Sequence, residues 1–284
     1  MIINDNHRIE GDGVTFKESP NHGGAFGTGL PDTIIVHYTA GSSAESSVES
    51  LCDPGTKASA HLVIGRDGRI AQLVPFDTIA WHAGKSTYRG RVGFNKYSIG
   101  IEIDNAGRLT KSGGGYHAWF GKTYPEAEVV EAVHRNESTP TYWHLYTEEQ
   151  IAAVYELCVH LADTYRITSI LGHEEISPSR KSDPGPAFPL DKLRERVLYR
   201  DRAEEGQEES PPVQHVGLVN ASKINIRSAP ALSAATVAPP LTQGTILEIM
   251  READGWVEVK VQTRGWVKKE YIKTWNVNNR GSDR

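Results

Sequence analysis

The chain has 284 residues, long enough for one sizeable core and a smaller second module. Its formal charge of −5 argues against a general nucleic-acid binder, and no apolar run approaches the roughly 18 residues that a membrane span needs. Residues 1–8 lack a basic region followed by an apolar stretch, so no secretory signal is expected; Cys52 and Cys158 are too few for a disulfide framework and read as buried or free thiols.

Residues 1–31 read as an N-terminal segment. Residues 33–39, Thr-Ile-Ile-Val-His-Tyr-Thr, form a β-branched apolar run that predicts a buried strand ending at His37 and followed by a turn at Gly41. A histidine in that place sits where α/β folds put their chemistry; a core histidine bonded to backbone is the plainer alternative. Residues 59–64 and 69–74 flank Asp67-Gly68, a strong hairpin signal. In residues 98–104, alternation sets Gly100, Glu102 and Asp104 on the face opposite Ile99, Ile101 and Ile103.

From about 110 to 146 the pattern loosens into a glycine-hinged, aromatic-rich insertion containing Tyr116, Trp119, Phe120, Tyr142 and Trp143. Long loops of this kind are usually functional or disordered, so these aromatics form either a lid or glycan-contacting wall, or anchors that pin the loop. Thr147 and Gln150 make a capping box before a helical stripe of Ile151, Val154, Tyr155, Cys158, Leu161, Ala162 and Tyr165. Residues 172–185 hold His173, Lys181 and Asp183 in a stretch whose prolines and glycine are poor helix material. Leu190, Leu193, Val197 and Leu198 predict a closing helix, and the whole predicts a mixed sheet with helices on its faces.

His37, His173 and Asp183 are nitrogen and oxygen donors of the types that bind zinc, and three protein ligands leave a fourth position for water. Several motifs come in one order: Val36-His37, Arg66-Asp67-Gly68-Arg69-Ile70, Pro75-Phe76-Asp77, Trp81-His82-Ala83-Gly84, Ser98-Ile99-Gly100-Ile101-Glu102, His173, and Arg180-Lys181-Ser182-Asp183-Pro184-Gly185-Pro186. Together, over residues 32–199, they resemble the zinc N-acetylmuramoyl-L-alanine amidases, amidase family 2, which share a fold with the peptidoglycan recognition proteins.

The resemblance implies an α/β domain with a mixed central sheet flanked by helices, and one catalytic Zn2+ on His37, His173 and Asp183. It further implies hydrolysis of the amide between N-acetylmuramic acid and L-alanine of peptidoglycan. Glu102 would be the general base and Lys181 the cation on the developing oxyanion, with His82, Trp81 and Arg180 facing substrate. Some relatives place a catalytic tyrosine where this chain has Ala60, so more falls on Glu102.

Residues 200–212 are acidic, lack apolar periodicity and end in Pro211-Pro212, which predicts a solvated linker. Residues 213–275 carry short apolar runs punctuated by glycine, with eight Lys/Arg against five Asp/Glu, and a tail follows over 276–284. Their Asn-Ile-Arg-Ser-Ala-Pro, Gly-Trp-Val and Glu-Tyr-Ile series resembles the bacterial SH3-like domain, a small all-β barrel that accompanies cell-wall hydrolases. Trp256 and Trp266 are expected in its core. A wall-binding module favours polymeric peptidoglycan over soluble muropeptides as partner, and thus a lytic enzyme acting at the wall after lysis or specialised export. A cytosolic anhydro-muropeptide recycling amidase and a non-catalytic peptidoglycan-binding protein are the alternatives.

Overall fold

The computed structural model describes residues 1–199, 215–243, 245–253, 255–260, 264–268, 270 and 272–276. They fall into two compact units, one within Met1–Arg202 and the other within Ala203–Arg284. The expected linker and nearly all of the tail lie outside the described residues.

The first unit is organised by a six-stranded sheet. Thr33–Tyr38 runs parallel to both of its neighbours, Ser169–Gly172 and Ser98–Ile103. Leu62–Ile64 is parallel to Ser98–Ile103 on its other side, and Ile70–Gln72 returns antiparallel to it. The central strands are covered on both faces, so they read as near-continuous apolar runs: Ile34, Ile35, Val36, Ile99, Ile101 and Ile103 are all buried. The Asp67-Gly68 hairpin forms as expected, with Gly68 at φ 77° where only glycine is unstrained. Residues 1–31 are not apart from this unit. Val14–Phe16 is the sheet's edge strand beside Ile70–Gln72, and Ile9 is buried in the main core.

Helices cover the sheet. Ala44–Cys52 starts at Ser43, whose hydroxyl accepts from the Ser46 amide. Glu148–Thr164 starts at the expected capping box of Thr147 and Gln150. It turns Val154, Leu157, Cys158 and Leu161 into the core, where Leu190–Leu198 adds Leu190, Leu193 and Val197. Cys52 and Cys158 are both free thiols, and Cys158 is a core residue.

The insertion is an ordered sheet and not the loop that its glycines suggest. Arg108–Ser112, Gly115–His117, Thr123–Tyr124, Val129–Val133 and Pro140–His144 form five antiparallel strands. Gly113 and Gly114, at φ 55° and 80°, make the two-residue turn between paired Ser112 and Gly115. Two successive positive φ values are what a tight hairpin of matching twist requires, so these glycines are a turn and not a hinge. Tyr116, Tyr124, Leu109 and Val129 give the sheet its own small core.

The second unit is all-β. Arg264–Lys268, Trp256–Lys260, Ile246–Ala253, His215–Val219 and Ile272–Asn276 pair antiparallel in that order, with Lys223–Ile224 against Leu241–Thr242 beside them. Val219, Ile226, Leu247, Ile249, Val257 and Val259 fill its core, and Trp256 is buried as expected. The side chain of Trp266 lies outside the described residues.

Candidate metal centre and active site

Sheet register assembles the site. The parallel pairing sets Glu102 directly beside His37 and Gly172 beside Val36, so His173, the first residue after its strand, arrives next to His37. His173 opens a single helical turn, His173–Ile176, and the chain then loops back until the Glu174 amide donates to the Asp183 carbonyl at 2.8 Å. His37 Nδ1, His173 Nδ1 and Asp183 Oδ2 converge, each 2.9 Å from the other two, and all three residues are buried.

The outer nitrogens show which form each ring takes. His173 Nε2 lies 3.1 Å from the carbonyl oxygen of Ala83, which can only accept, so Nε2 carries the proton. His82 Nε2 likewise donates to the Ser98 carbonyl at 3.2 Å. Burial, followed by the neighbouring His37 and His61, pushes the His82 pKa well below its ordinary value. His82 is therefore neutral and its one N–H is used, which leaves its Nδ1 to accept from His37 Nε2 at 2.9 Å. Both ligand rings thus turn bare Nδ1 lone pairs inward toward a carboxylate oxygen. Three lone-pair donors packed at this separation repel one another unless a cation lies among them, and two imidazoles with one carboxylate are a donor set suited to a divalent ion.

The surroundings are consistent with neutral ligands. Burial, then the proximity of His173, lowers the His37 pKa to about 4. The Glu102 carboxyl stands with Oε1 4.0 Å from His37 Nδ1, and its Oε2 is buried with no hydrogen-bond partner among the described residues. Burial, reinforced by Asp183, pushes its pKa well above the usual carboxylate range, and the Lys181 charge opposes that rise. A bound cation would reverse the balance and favour the carboxylate.

The other expected residues fall into place differently. Lys181 is half-buried and close enough for its charge to act on both His37 and Glu102. His82 does not reach toward substrate: both of its nitrogens are engaged, and it stands behind His37 as an orienting partner. Gly100 makes the room, since a Cβ there would come 2.4 Å from the His82 ring. Arg180 donates from one Nη2 to the carbonyls of Ala83 and Lys85 and to the Ser177 hydroxyl, so it ties two loops together. Trp81 is 37% exposed, and its backbone is held by Ser59.

Three contributors escaped the sequence reading. Asn95 Oδ1 accepts from the amides of His82 and Ala83, holding that loop against the ligand rings. Ser98 supplies the carbonyl that sets the His82 tautomer. Glu174, next to a ligand, binds His134 Nε2 at 2.6 Å and the Gly185 amide at 3.1 Å, and Arg135 joins it at 2.8 Å, so the insertion sheet grips the ligand loop. Ser98 opened the motif that ends at Glu102 and Glu174 sat beside His173, whereas Asn95 offered no sequence signal.

Residues 27–186 match the family model described as N-acetylmuramoyl-L-alanine amidase. The chain belongs to this family. Residues 220–273 match the bacterial SH3 domain. Among related sequences, the 1,6-anhydro-N-acetylmuramyl-L-alanine amidase AmpD of Escherichia coli is 38% identical over 144 residues, covering 50% of this chain and 58% of the relative. The N-acetylmuramoyl-L-alanine amidase AmiD of the same organism is 31% identical over 174 residues, covering 58% and 52%. The chain thus spans little more than half the length of these relatives. A solved structure of Escherichia coli AmiD with anhydro-N-acetylmuramic acid-L-Ala-D-gamma-Glu-L-Lys superposes with a TM-score of 0.45 at 26% identity, covering 72% of this chain and 70% of that one. No helix among the described residues is long and apolar enough to cross a membrane.

Proposed function

We propose that this amidase-family chain is a zinc hydrolase of the amide between N-acetylmuramic acid and L-alanine, acting on soluble anhydro-muropeptides. The convergence of two bare imidazole nitrogens and one carboxylate oxygen carries the reading. The anhydro form of the substrate is supported by AmpD, the relative at 38% identity, whose name specifies it. That support outweighs the inference from a wall-binding module to polymeric substrate, because an SH3-like domain says nothing about which bond is cut or in what context.

His37, His173 and Asp183 would hold the ion, which when bound acidifies a water and polarises the scissile carbonyl. His82 keeps the proton of His37 on Nε2, so the inward nitrogen stays a donor to metal. Glu102 takes the proton of the attacking water on its unpartnered Oε2 and returns it to the departing amine nitrogen of L-alanine. Lys181 sets its charge beside the oxygen that becomes negative as the carbonyl turns tetrahedral.

The test is digestion of soluble anhydro-muropeptides and of intact sacculi, with and without chelator, read by mass spectrometry. Chelator-sensitive release of stem peptides from the soluble fragments is the expected result, and release from sacculi alone would return the protein to a lytic role. Glu102→Gln should lower kcat by about 10²–10⁴-fold while zinc content stays at wild-type level. A Glu102→Gln rate within a few-fold of wild type would remove Glu102 from the mechanism.

A further inference from the structure

Glu102 also lines a cavity of about 360 Å³ to which none of His37, His173 and Asp183 contributes. Its walls come from two places: the turn and first helix after His37, with Ser42, Ser46 and Ser50, and the insertion, with Trp119 and Phe120. This volume lies within the roughly 300–1,000 Å³ of small-molecule sites.

Trp119 is the unusual member. It is 80% exposed, an uncommon position for a large aromatic, yet it is held in place. Its indole N–H donates to the Ala40 carbonyl at 2.8 Å, three residues after the ligand His37, and Phe120 meets it edge-on at 5.7 Å between ring centroids. Fastened by one edge, the indole keeps a face free. Fixed aromatic faces with serine hydroxyls around them suit a ligand that has apolar C–H faces and neutral polar substituents.

The charge pattern narrows the ligand. Among the described residues that line the cavity there is no lysine or arginine, and the one ionisable side chain is Glu102. A stem peptide bearing free carboxylates would be unmatched there, whereas Lys181 and Arg180 stand on the separate loop that carries Asp183. A pyranose ring with hydroxyl and N-acetyl groups meets both conditions. The lactyl ether that joins such a ring to the scissile carbonyl is short, so the sugar must lie next to the ion and Glu102, where this cavity opens.

We propose that this cavity is the glycan subsite: it takes the N-acetylated muramyl ring, with the sugar attached to it, against the face of Trp119, and leaves the peptide to the side of the ligand loop. The assignment rests on the amidase reading for its substrate, but it makes Trp119 a specificity residue in its own right.

The full-length protein is titrated with two ligands that cannot be hydrolysed at the amide: the peptide-free disaccharide GlcNAc–anhydro-MurNAc, and the free dipeptide L-Ala-γ-D-Glu. Calorimetry on wild type, Trp119→Ala and Trp119→Phe reads the affinities. Trp119→Ala should bind the disaccharide about tenfold more weakly, with Trp119→Phe between it and wild type and dipeptide affinity unchanged. In turnover of an anhydro-muropeptide, Trp119→Ala should raise KM by a similar factor and leave kcat near wild type. Equal disaccharide affinity in wild type and Trp119→Ala would overturn the proposal, as would loss of dipeptide affinity in its place. Should no amide be cleaved while disaccharide binding still depends on Trp119, the amidase reading fails and the subsite stands.

Discussion

The floor of the site belongs to the six-stranded sheet and the wall beside it to the insertion, and the two treat their functional groups in opposite ways. On the floor both nitrogens of His82 and the outer nitrogens of His37 and His173 are hydrogen-bonded, and the tautomers follow from one carbonyl at each end. On the wall Trp119 is tethered by a single hydrogen bond and left 80% exposed. Within the same insertion Trp143 is buried, donates to the Ala132 carbonyl and lies under Gly185, where a Cβ would come 2.8 Å from its ring. The floor is therefore fixed by hydrogen bonds and packing, whereas Trp119 can be replaced without removing a contact to His37, His173 or Asp183.

The sharpest way to break that contrast is at the floor. Asp183→Ala should leave two facing imidazoles without their carboxylate, abolish stoichiometric zinc in metal analysis and reduce turnover by at least about 10³-fold. If zinc remained at one equivalent, the three-donor centre would be the wrong description.

The two tryptophans offer the next comparison. Trp143→Ala should cost about 3–5 kcal/mol in urea unfolding, because it empties a core position, while Trp119→Ala should stay within about 0.5 kcal/mol. Similar costs for both would mean that Trp119 is packed as tightly as Trp143.

A smaller loss is expected from His82→Ala, which removes the acceptor that orients His37. Competition with a chromogenic chelator should show zinc affinity reduced about 10–100-fold, with the fold intact by circular dichroism. Undiminished affinity would mean that packing alone orients His37.

The smallest effect concerns His61, under the floor. It donates to the Thr78 carbonyl and accepts from the Gly100 amide, and burial lowers its pKa from 6.5 to about 4. Since the folded-state value is the lower one, the unfolded chain takes up the proton first. The contribution is complete above about pH 6.5 and is lost as pH falls toward 4. Between pH 7 and pH 5 the unfolding free energy of wild type should fall by about 2 kcal/mol more than that of His61→Gln. Parallel profiles for the two proteins would show that His61 is not held neutral.

Much of the floor was legible in the sequence. The β-branched run ending at His37, the Ser98–Glu102 alternation and the polar loop after His173 pointed to the candidate ligands and the candidate base before any strand was paired. The role of His82 was not legible, because it depends on sheet register and on the space at Gly100, neither of which is a local signal. The insertion misled for a related reason. Gly113-Gly114 fits a hinge or a tight turn equally well by composition, and only the pairing of Ser112 with Gly115 shows which it is. Its short strands carry too few alternating positions to announce a sheet.

The proton arrangement behind His37 has one more consequence. Many ion sites must shed protons from their ligands when the guest arrives, so that capture competes with acidity. Here the inward nitrogens are already bare at neutral pH, because His82 Nδ1, itself set by the Ser98 carbonyl, and the Ala83 carbonyl hold the ring protons of His37 and His173 on the far side. Which nitrogen of each ring is bare is settled when the polypeptide folds. Affinity for the ion is thereby tied to the integrity of the strands, and a lesion that loosens the backbone around Ser98 should weaken capture without touching a ligand.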